Sequence, residues 1–279
     1  MRRLGFAYNP TKPEAVELCR RAREWCAEND VDSWSAEANA HGGLLDRLPE
    51  TDGLVVLGGD GTFLRAARAL AVLDVPVLGI NSGRVGFLSK VEPEGMQATL
   101  EQLRDGAYTL ESRMMLEASI LPGGGHAGAV RYAALNDAAI VRGAEVRVVR
   151  LEVVIDGSHL ANYVADGLVV ATPTGSTAYS FSAGGPILGP TARNLVVTPI
   201  AAYLSSIRSI VLDDAHTVMV RLLDGPQCVV SIDGREDHPL APGDAVEIRA
   251  LERPLRFIEP RDALPFWDLL RRKAALLPS

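Results

Sequence analysis

The chain has 279 residues, of which 47% are apolar and 23% charged, and its 28 basic and 35 acidic residues give a formal charge of −7. This composition excludes a largely disordered chain, because there is enough apolar material to bury a sizeable core. The acidic balance argues against a protein that wraps nucleic acid or coats an anionic membrane, since both need a net basic surface. A local basic pocket for a small phosphorylated ligand is still compatible with it.

Cysteine and histidine patterns give no sign of a disulfide framework or a metal site. Cys19, Cys26 and Cys228 are widely spaced without a Cys-x-x-Cys pair, and the five histidines show no ligand spacing such as His-x-x-x-His. The N-terminus lacks the apolar run of a signal peptide, and no segment approaches the roughly 18 apolar residues of a membrane helix. We therefore expect a cytoplasmic protein with neither a membrane nor a nucleic-acid partner.

The first 110 residues alternate short apolar runs with helix-like segments. The expected strands are 4–8, 31–35, 54–57 and 75–80, and the expected helices begin at Pro13 or cover 63–72 and 94–104. Alternating β and α segments predict a parallel sheet covered by helices.

Beyond residue 110 the apolar segments become short and rich in β-branched residues. They cover 130–141, 146–155, 169–171, 195–200, 217–223, 229–232 and 245–248. Asp-Gly pairs at 156–157, 224–225 and 233–234 predict hairpin turns. Regularly spaced short strands predict a β-sandwich or a compact all-β unit. A final helix is expected after Pro265.

The motif Gly58-Gly59-Asp60-Gly61-Thr62 lies between a predicted buried strand and a predicted helix. Glycines leave backbone N–H groups accessible, and a helix N-terminus attracts anions, so this loop predicts a phosphate site. An aspartate there adds negative charge where a phosphate would lie. That conflict is resolved if Asp60 accepts a proton from an attacking hydroxyl or holds a magnesium ion. The alternative is a tight turn in which Asp60 caps the helix.

Segment 166–186 contains the densest cluster of small polar residues, Thr-Pro-Thr-Gly-Ser-Thr-Ala-Tyr, which ends at Tyr179. A predicted strand runs directly into this loop. An aromatic ring beside hydrogen-bonding small residues suits a planar base such as adenine. The alternative is a long surface turn in which Tyr179 and Phe181 fill the core.

Two further polar clusters interrupt apolar segments. Asn136 and Asp137 lie within a β-rich run, where they either form a turn or bind a ribose and a base. Segment 81–88, Asn-Ser-Gly-Arg-Val-Gly-Phe-Leu, follows a predicted strand. Because parallel strands end at one edge of a sheet, this segment and loop 58–62 are expected at the same edge. The alternative is a simple connection in which Phe87 covers the core.

Together the motifs 58–62, 81–88, 136–137 and 166–186 resemble the NAD kinase family in their order and approximate spacing, and segment 256–273 is similar to the family's C-terminal return segment. The first motif is shared with lipid kinases, whereas the long motif at 166–186 is specific to NAD kinases. The resemblance implies a phosphofructokinase-like parallel α/β domain over 1–110, joined by a return segment over 256–279. It also implies a β-sandwich-like NAD-binding domain over 111–255.

The resemblance further implies transfer of the γ-phosphoryl group of ATP, or of inorganic polyphosphate, to the adenosine-ribose 2′-hydroxyl of NAD. Mg²⁺ would accompany the ATP, and the assembly would be a homodimer or homotetramer. By position Asp60 resembles the proton acceptor, with Gly58, Gly59 and Thr62 in the phosphate loop. The implied NAD-binding residues are Gly61, Arg65, Phe87, Asn136, Asp137, Arg147, Asp166, Thr177, Ala178, Tyr179 and Ser182.

Two positions depart from the family pattern. Val164 stands where many members have Arg or Gln, so a diphosphate contact is expected to be missing, and Arg235 stands where many have Gln. Two alternatives are a lipid or diacylglycerol-type kinase and a non-catalytic NAD(H) sensor. The acidic balance and the motif at 166–186 argue against the first alternative. Retention of Asp60 argues against the second, because a sensor needs no base.

Overall fold

The computed structural model describes residues 1–83, 86–143, 147–203 and 207–275. Of the segments discussed above, residues 84–85, 146 and 276–279 therefore lie outside the described residues. The chain divides into two compact units, Met1–Ser112 with Leu255–Ser279, and Arg113–Pro254. Among the described residues, no helix has the length and apolar character needed to cross a membrane.

The strands are β1 (Arg3–Tyr8), β2 (Asp32–Glu37), β3 (Gly53–Leu57), β4 (Val77–Ile80), β5 (Tyr108–Arg113), β6 (Leu116–Leu121), β7 (Val130–Ala134), β8 (Asp137–Arg142), β9 (Val149–Ile155), β10 (Ser158–Ala165), β11 (Gly167–Ala171), β12 (Asn194–Ile200), β13 (Ile210–Asp213), β14 (Val218–Asp224), β15 (Cys228–Ile232), β16 (Glu236–Leu240), β17 (Ala245–Ala250) and β18 (Leu255–Pro260). The helices are α1 (Pro13–Glu28), α2 (His41–Leu45), α3 (Asp60–Leu70), α4 (Met96–Asp105), α5 (Tyr179–Ser182) and α6 (Phe266–Ala275).

The first unit contains a sheet with the strand order β2-β1-β3-β4-β18-β5, parallel from β2 through β18. Leu57 at the end of β3 lies opposite Tyr8 on one side and Ile80 on the other. Three neighbouring strands therefore end at the same edge, where the loops after Leu57 and Ile80 begin. The predicted parallel α/β architecture of this unit is confirmed.

Helices cover both faces of this sheet, which explains why β3 is buried at every position. On one face, Trp25 of α1 and Leu100 of α4 belong to a cluster with Ile258 of β18. Because neighbouring residues of a strand point to opposite faces, Phe257 points the other way. There it stacks on Phe63 of α3, with the ring centroids 5.0 Å apart.

The second unit is a sandwich of two antiparallel sheets, β10-β9-β14-β17-β6-β7 and β13-β12-β11-β8-β15-β16. Alternate side chains from both sheets enter one core, where Leu151 and Val220 from the first sheet meet Ile140 and Val170 from the second. Inward and outward alternation of this kind is the basis of a sandwich core. The expected all-β unit is confirmed.

The Asp-Gly pairs form hairpins at two of the three predicted places. Asp156-Gly157, with φ values of +49° and +79°, joins β9 to β10, and Asp233-Gly234 lies between the paired strands β15 and β16. The hairpin predicted at 224–225 is wrong, because β14 and β15 belong to different sheets. An Asp-Gly pair favours a local turn conformation, and Gly225 does adopt a positive φ of +129°. The pair does not determine which strands hydrogen-bond to each other.

The β-rich segment 130–141 also crosses between the sheets. β7 lies at the end of the first sheet and β8 in the interior of the second. Leu135 and Asn136 make the crossing, so the polar pair Asn136-Asp137 stands where the chain enters the second sheet.

Candidate active site

The loop after β3 is a tight turn that requires glycine at position 58. Gly58 has a φ of +152°, and a β-carbon built on it would lie 2.7 Å from Thr62 Oγ1. Its N–H donates to the carbonyl of Ile80 at 2.9 Å, which ties the turn to the end of β4. The expected phosphate-loop residues Gly58, Gly59 and Thr62 thus form one tight turn at the carboxyl edge of the sheet.

Asp60 is the first residue of α3, and Gly59 occupies the N-cap position without a side-chain capping bond. The alternative in which Asp60 caps the helix is therefore wrong. Its carboxylate instead accepts three backbone hydrogen bonds from a distant segment. Phe87 N–H donates to Oδ2 at 2.8 Å, and the N–H groups of Leu88 and Ser89 donate to Oδ1 at 3.1 and 3.3 Å.

These bonds fix the carboxylate without saturating it. A carboxylate offers about four acceptor sites, so Oδ2, which accepts one N–H bond from the described part of the chain, retains room for one further proton. The close approach depends on Gly86, where a β-carbon would lie 1.8 Å from Asp60 Oδ1. Ser89 Oγ also donates to the carbonyl of Gly58 at 2.9 Å. Loop 58–62 and segment 86–89 therefore meet, as expected from the shared sheet edge.

Asn81 belongs to motif 81–88, but the sequence pattern assigns it no role in binding or catalysis. Its side chain is buried, and its Oδ1 accepts the N–H of Gly83 at 3.2 Å. Oδ1 also lies 3.9 Å from where a β-carbon on Gly59 would stand. Among the described residues its Nδ2 has no partner. An asparagine directly after a buried strand is the sequence signal that could have singled it out.

Two carboxylates adjoin at the start of β8 in the second unit. Asp233 accepts the backbone N–H groups of Leu135, Asn136 and Asp137 at 3.0, 2.8 and 3.1 Å. Asp137 is 4% exposed. Burial, together with the negative charge of Asp233, raises the pKa of the Asp137 carboxyl to about 7. A carboxyl that keeps its proton can donate a hydrogen bond as well as accept one. Asp233, which the sequence marked only as a turn residue, is therefore part of this cluster.

The Ser/Thr loop packs directly on the crossing between the two sheets. Thr172 Oγ1 donates to the carbonyl of Leu135 at 2.5 Å. A β-carbon on Gly175 would lie 2.1 Å from the carbonyl oxygen of Asn136. Motifs 136–137 and 166–186 thus meet through backbone contacts. Within the described chain, the buried hydroxyl of Thr174 has no partner, so Thr174 is a candidate ligand group that sequence reasoning missed.

Tyr179 and Phe181 are not core residues. They lie on α5 with 42% and 50% of their surface exposed, so the core-filler alternative is wrong. Burial of part of the ring, and then the nearby carboxylates of Asp137 and Asp166, raise the pKa of the Tyr179 hydroxyl. Asp137, Asp166 and Tyr179 therefore lie close to one another. Thr177, Ala178 and Ser182 belong to the same loop and short helix as Tyr179.

Asp166 is paired with a basic residue that the sequence analysis did not single out. Arg142 Nε donates to Asp166 Oδ1 at 3.0 Å in a partly exposed ion pair. Val164 lies opposite Arg150 on β9, whereas the guanidinium that pairs with Asp166 belongs to Arg142 of β8. Arg147 is exposed, and the described part of the chain shows no bond between it and these candidates.

The remaining candidates of the first unit are Gly61, Arg65 and Phe87. Gly61 and Arg65 belong to α3, where Arg65 is half-buried. The Phe87 ring is half-buried and packs against Phe266 of α6, with ring centroids 6.1 Å apart. Among the described residues, no group of three or more His, Cys, Asp or Glu side chains is arranged to hold a metal ion.

Comparison with known proteins identifies both units. A family model described as the ATP-NAD kinase N-terminal domain matches residues 46–108, and one described as the ATP-NAD kinase C-terminal domain matches residues 135–260. The NAD kinase of Heliobacterium modesticaldum is 37% identical over 278 residues, which is 97% of each chain. The chain belongs to the NAD kinase family. The NAD kinase of Symbiobacterium thermophilum is 45% identical over 228 residues, 80% of this chain and 78% of that one.

Solved structures agree on the fold of this NAD kinase family member. Yeast NADH kinase complexed with NADH superposes with a TM-score of 0.86 at 23% identity, over 99% of this chain and 87% of that one. An NAD kinase from Archaeoglobus fulgidus in complex with ATP gives a TM-score of 0.80 at 24% identity, over 99% and 100%. The lipid-kinase and sensor alternatives find no support among these relatives, which are named NAD or NADH kinases.

Proposed function

We propose that the chain transfers the γ-phosphoryl group of ATP to the 2′-hydroxyl of the adenosine ribose of NAD, which yields NADP and ADP. The observation that carries this proposal is the Asp60 carboxylate, fixed by three backbone N–H groups at the start of α3 with acceptor capacity left on Oδ2. A carboxylate held in this way suits a base that must act on one hydroxyl in one orientation.

In the proposed step, Asp60 accepts the proton of the ribose 2′-hydroxyl as its oxygen bonds to the γ-phosphorus. The bond between the γ-phosphorus and the bridging oxygen breaks, and the departing ADP takes the electron pair. Phosphoryl transfer asks a protein chiefly for positioning and for charge stabilisation. Gly58, Gly59 and Thr62 are proposed to approach the phosphates, because the turn keeps side chains away from the N-terminus of α3.

Mg²⁺ is proposed to enter as part of the magnesium–ATP substrate. Mg²⁺ bound to nucleotides takes phosphate oxygens and water as most of its ligands. The described residues offer no cluster of three or more acidic, histidine or cysteine side chains for a resident ion, which fits a metal brought in by the nucleotide.

Residues of the second unit are proposed to recognise the dinucleotide. Asn136 and Asp137 supply donors and acceptors for the adenosine, and a protonated Asp137 can donate to a base nitrogen or a ribose oxygen. Tyr179 offers an exposed ring to the adenine. Asp166 is proposed to serve the nicotinamide end. The further contacts proposed from the family resemblance are Gly61, Arg65, Phe87, Arg147, Thr177, Ala178 and Ser182.

A coupled assay of NADP formation from NAD and ATP tests this function directly. We expect turnover that depends on both substrates and on Mg²⁺. Repeating the assay with inorganic polyphosphate in place of ATP shows which phosphoryl donor the protein uses. Tight NAD binding without turnover would favour the sensor, and phosphorylation of diacylglycerol with inertness towards NAD would favour the lipid kinase. The proposed homodimer or homotetramer is tested by light scattering of the purified chain, and the proposed cytoplasmic location by cell fractionation.

A further inference from the structure

The side chain of Phe87 packs against the C-terminal helix α6. Its ring centroid lies 6.1 Å from that of Phe266 at an interplanar angle of 43°, and Lys273 Nζ lies 4.9 Å from the ring centroid. Phe266 and Lys273 are seven residues apart, two turns of helix, so they lie on the same face of α6. The helix therefore contacts Phe87 through both its first turn and its last.

The α6 helix is itself well anchored within the first unit. Leu269, on the same face as Phe266, is 1% exposed. The Trp267 ring stands edge-on against Phe266, with centroids 4.9 Å apart, while most of Trp267 faces solvent. The face that meets Phe87 is thus held at its middle by the burial of Leu269.

Phe87 connects this helix to the proposed base. Its backbone N–H makes the 2.8 Å bond to Asp60 Oδ2, the shortest of the three bonds to that carboxylate. Oδ2 is also the oxygen with acceptor capacity left. Since segment 86–89 contacts Asp60 through backbone groups, any shift of Phe87 moves the donor that orients Oδ2.

We propose that α6 is a positioning element for the phosphoryl transfer: Phe266 and Lys273 hold Phe87, and through its backbone N–H they hold Asp60, in the orientation that removes the hydroxyl proton. This inference rests on the proposed role of Asp60 as the base. Phe266 and Lys273 act through Phe87 and are positioning residues.

The test compares Phe266→Ala and Lys273→Gln with the conservative Phe266→Tyr and with Arg271→Ala. Arg271 lies on an exposed part of the same helix, and its ion pair within the described residues is a local one, with Asp268. We expect Phe266→Ala to lower kcat about tenfold or more, with the KM values for ATP and NAD changed less than about threefold, because small misplacements of a reacting group lower the rate of the chemical step. Lys273→Gln should lower kcat less, Phe266→Tyr should restore most of the rate, and Arg271→Ala should match the parent.

A double-mutant cycle with Asp60→Asn separates positioning from general stability. If Phe266 acts through Asp60, Phe266→Ala should cause no further loss of kcat once Asp60 is Asn, whereas independent effects would multiply. Thermal unfolding of each variant verifies that folded protein is compared.

Three results would overturn the inference. A parent-like kcat in folded Phe266→Ala would do so, as would a loss that multiplies with Asp60→Asn, or a rise in KM without a fall in kcat. A near-normal kcat in Asp60→Asn itself would instead refute the proposed base, so the two failures are distinguishable.

Discussion

Asp233 accepts the backbone N–H of Asp137 at 3.1 Å and also stands beside its side chain as a second carboxylate. The same residue thus organises the backbone at the start of β8 and makes ionisation of Asp137 costly. The turn after β15 fixes this geometry, because Asp233 adopts a φ of +52° there.

The first prediction concerns how stability depends on pH at Asp137. A carboxyl whose pKa is raised on folding destabilises the folded state at pH values above its pKa in the unfolded chain. This loss of stability grows as pH rises from about 4 towards 7. Asp137→Asn removes this loss, so relative to the parent the variant should gain stability between pH 4.5 and pH 8. A shift of about three units sets an upper limit of about 4 kcal/mol. Urea denaturation at both pH values measures the gain.

The control for that experiment is Asp30→Asn, a change of the same type at an exposed position. It should leave the pH dependence of unfolding as in the parent. A difference between Asp137→Asn and parent that is the same at both pH values would contradict the prediction.

The second prediction concerns Asp60→Asn. Removal of the base should lower turnover by about 10²–10⁴-fold. The amide also places an NH₂ group against at least one of the three N–H donors, so we expect a loss of about 1–3 kcal/mol in unfolding free energy. NAD affinity, measured by calorimetry on the folded protein, should change little. Turnover within a few-fold of the parent would show that Asp60 is not the base.

The third prediction compares two glycines of one segment. A β-carbon at position 86 would overlap Asp60 Oδ1, whereas one at position 83 would meet nothing within 4 Å. Gly86→Ala should displace the carboxylate or segment 86–89 and lower kcat by about tenfold or more. Gly83→Ala should retain near-parent kinetics. Equal activity of the two variants would mean that this approach is unimportant for turnover.

The fourth prediction concerns adenine recognition by Tyr179. Loss of an aromatic contact costs about 0.5–1.5 kcal/mol beyond the buried area, so Tyr179→Ala should raise the Kd for NAD about two- to twelvefold. Tyr179→Phe should keep most of the affinity, and Phe181→Ala, a comparable exposed aromatic on the same helix, serves as the control. Unchanged NAD affinity in Tyr179→Ala would exclude stacking.

Local patterns were sufficient for much of the first unit. The apolar run of β3 and the glycines after it identified both the strand and the turn, because each depends on residues adjacent in sequence. The contact between Asp60 and Phe87 could be placed only at a shared sheet edge, since hydrogen bonds between residues 27 positions apart depend on how loops fold back.

Sequence reasoning did less well where pairing partners are distant or strands are polar. The edge strand β13 and the return strand β18 were not expected, and neither was β10, which carries Asn162 and His159 among its apolar residues. The pairing of Asp137 with Asp233 and of Asp166 with Arg142 also escaped prediction. Each joins groups that only the sandwich brings together, and neither pair has a characteristic spacing.

The position of β18 between β4 and β5 has a consequence for synthesis on the ribosome. The second unit is continuous in sequence and can fold as soon as it has emerged. The sheet of the first unit stays incomplete until residue 260 has been made, because β18 is the second neighbour of β4 and connects it to β5. A nascent or truncated chain that ends near Pro254 therefore presents an open strand edge, the kind of surface that recruits chaperones or aggregates. Folding of the sheet in the first unit is thus completed by a strand that is made after the whole second unit.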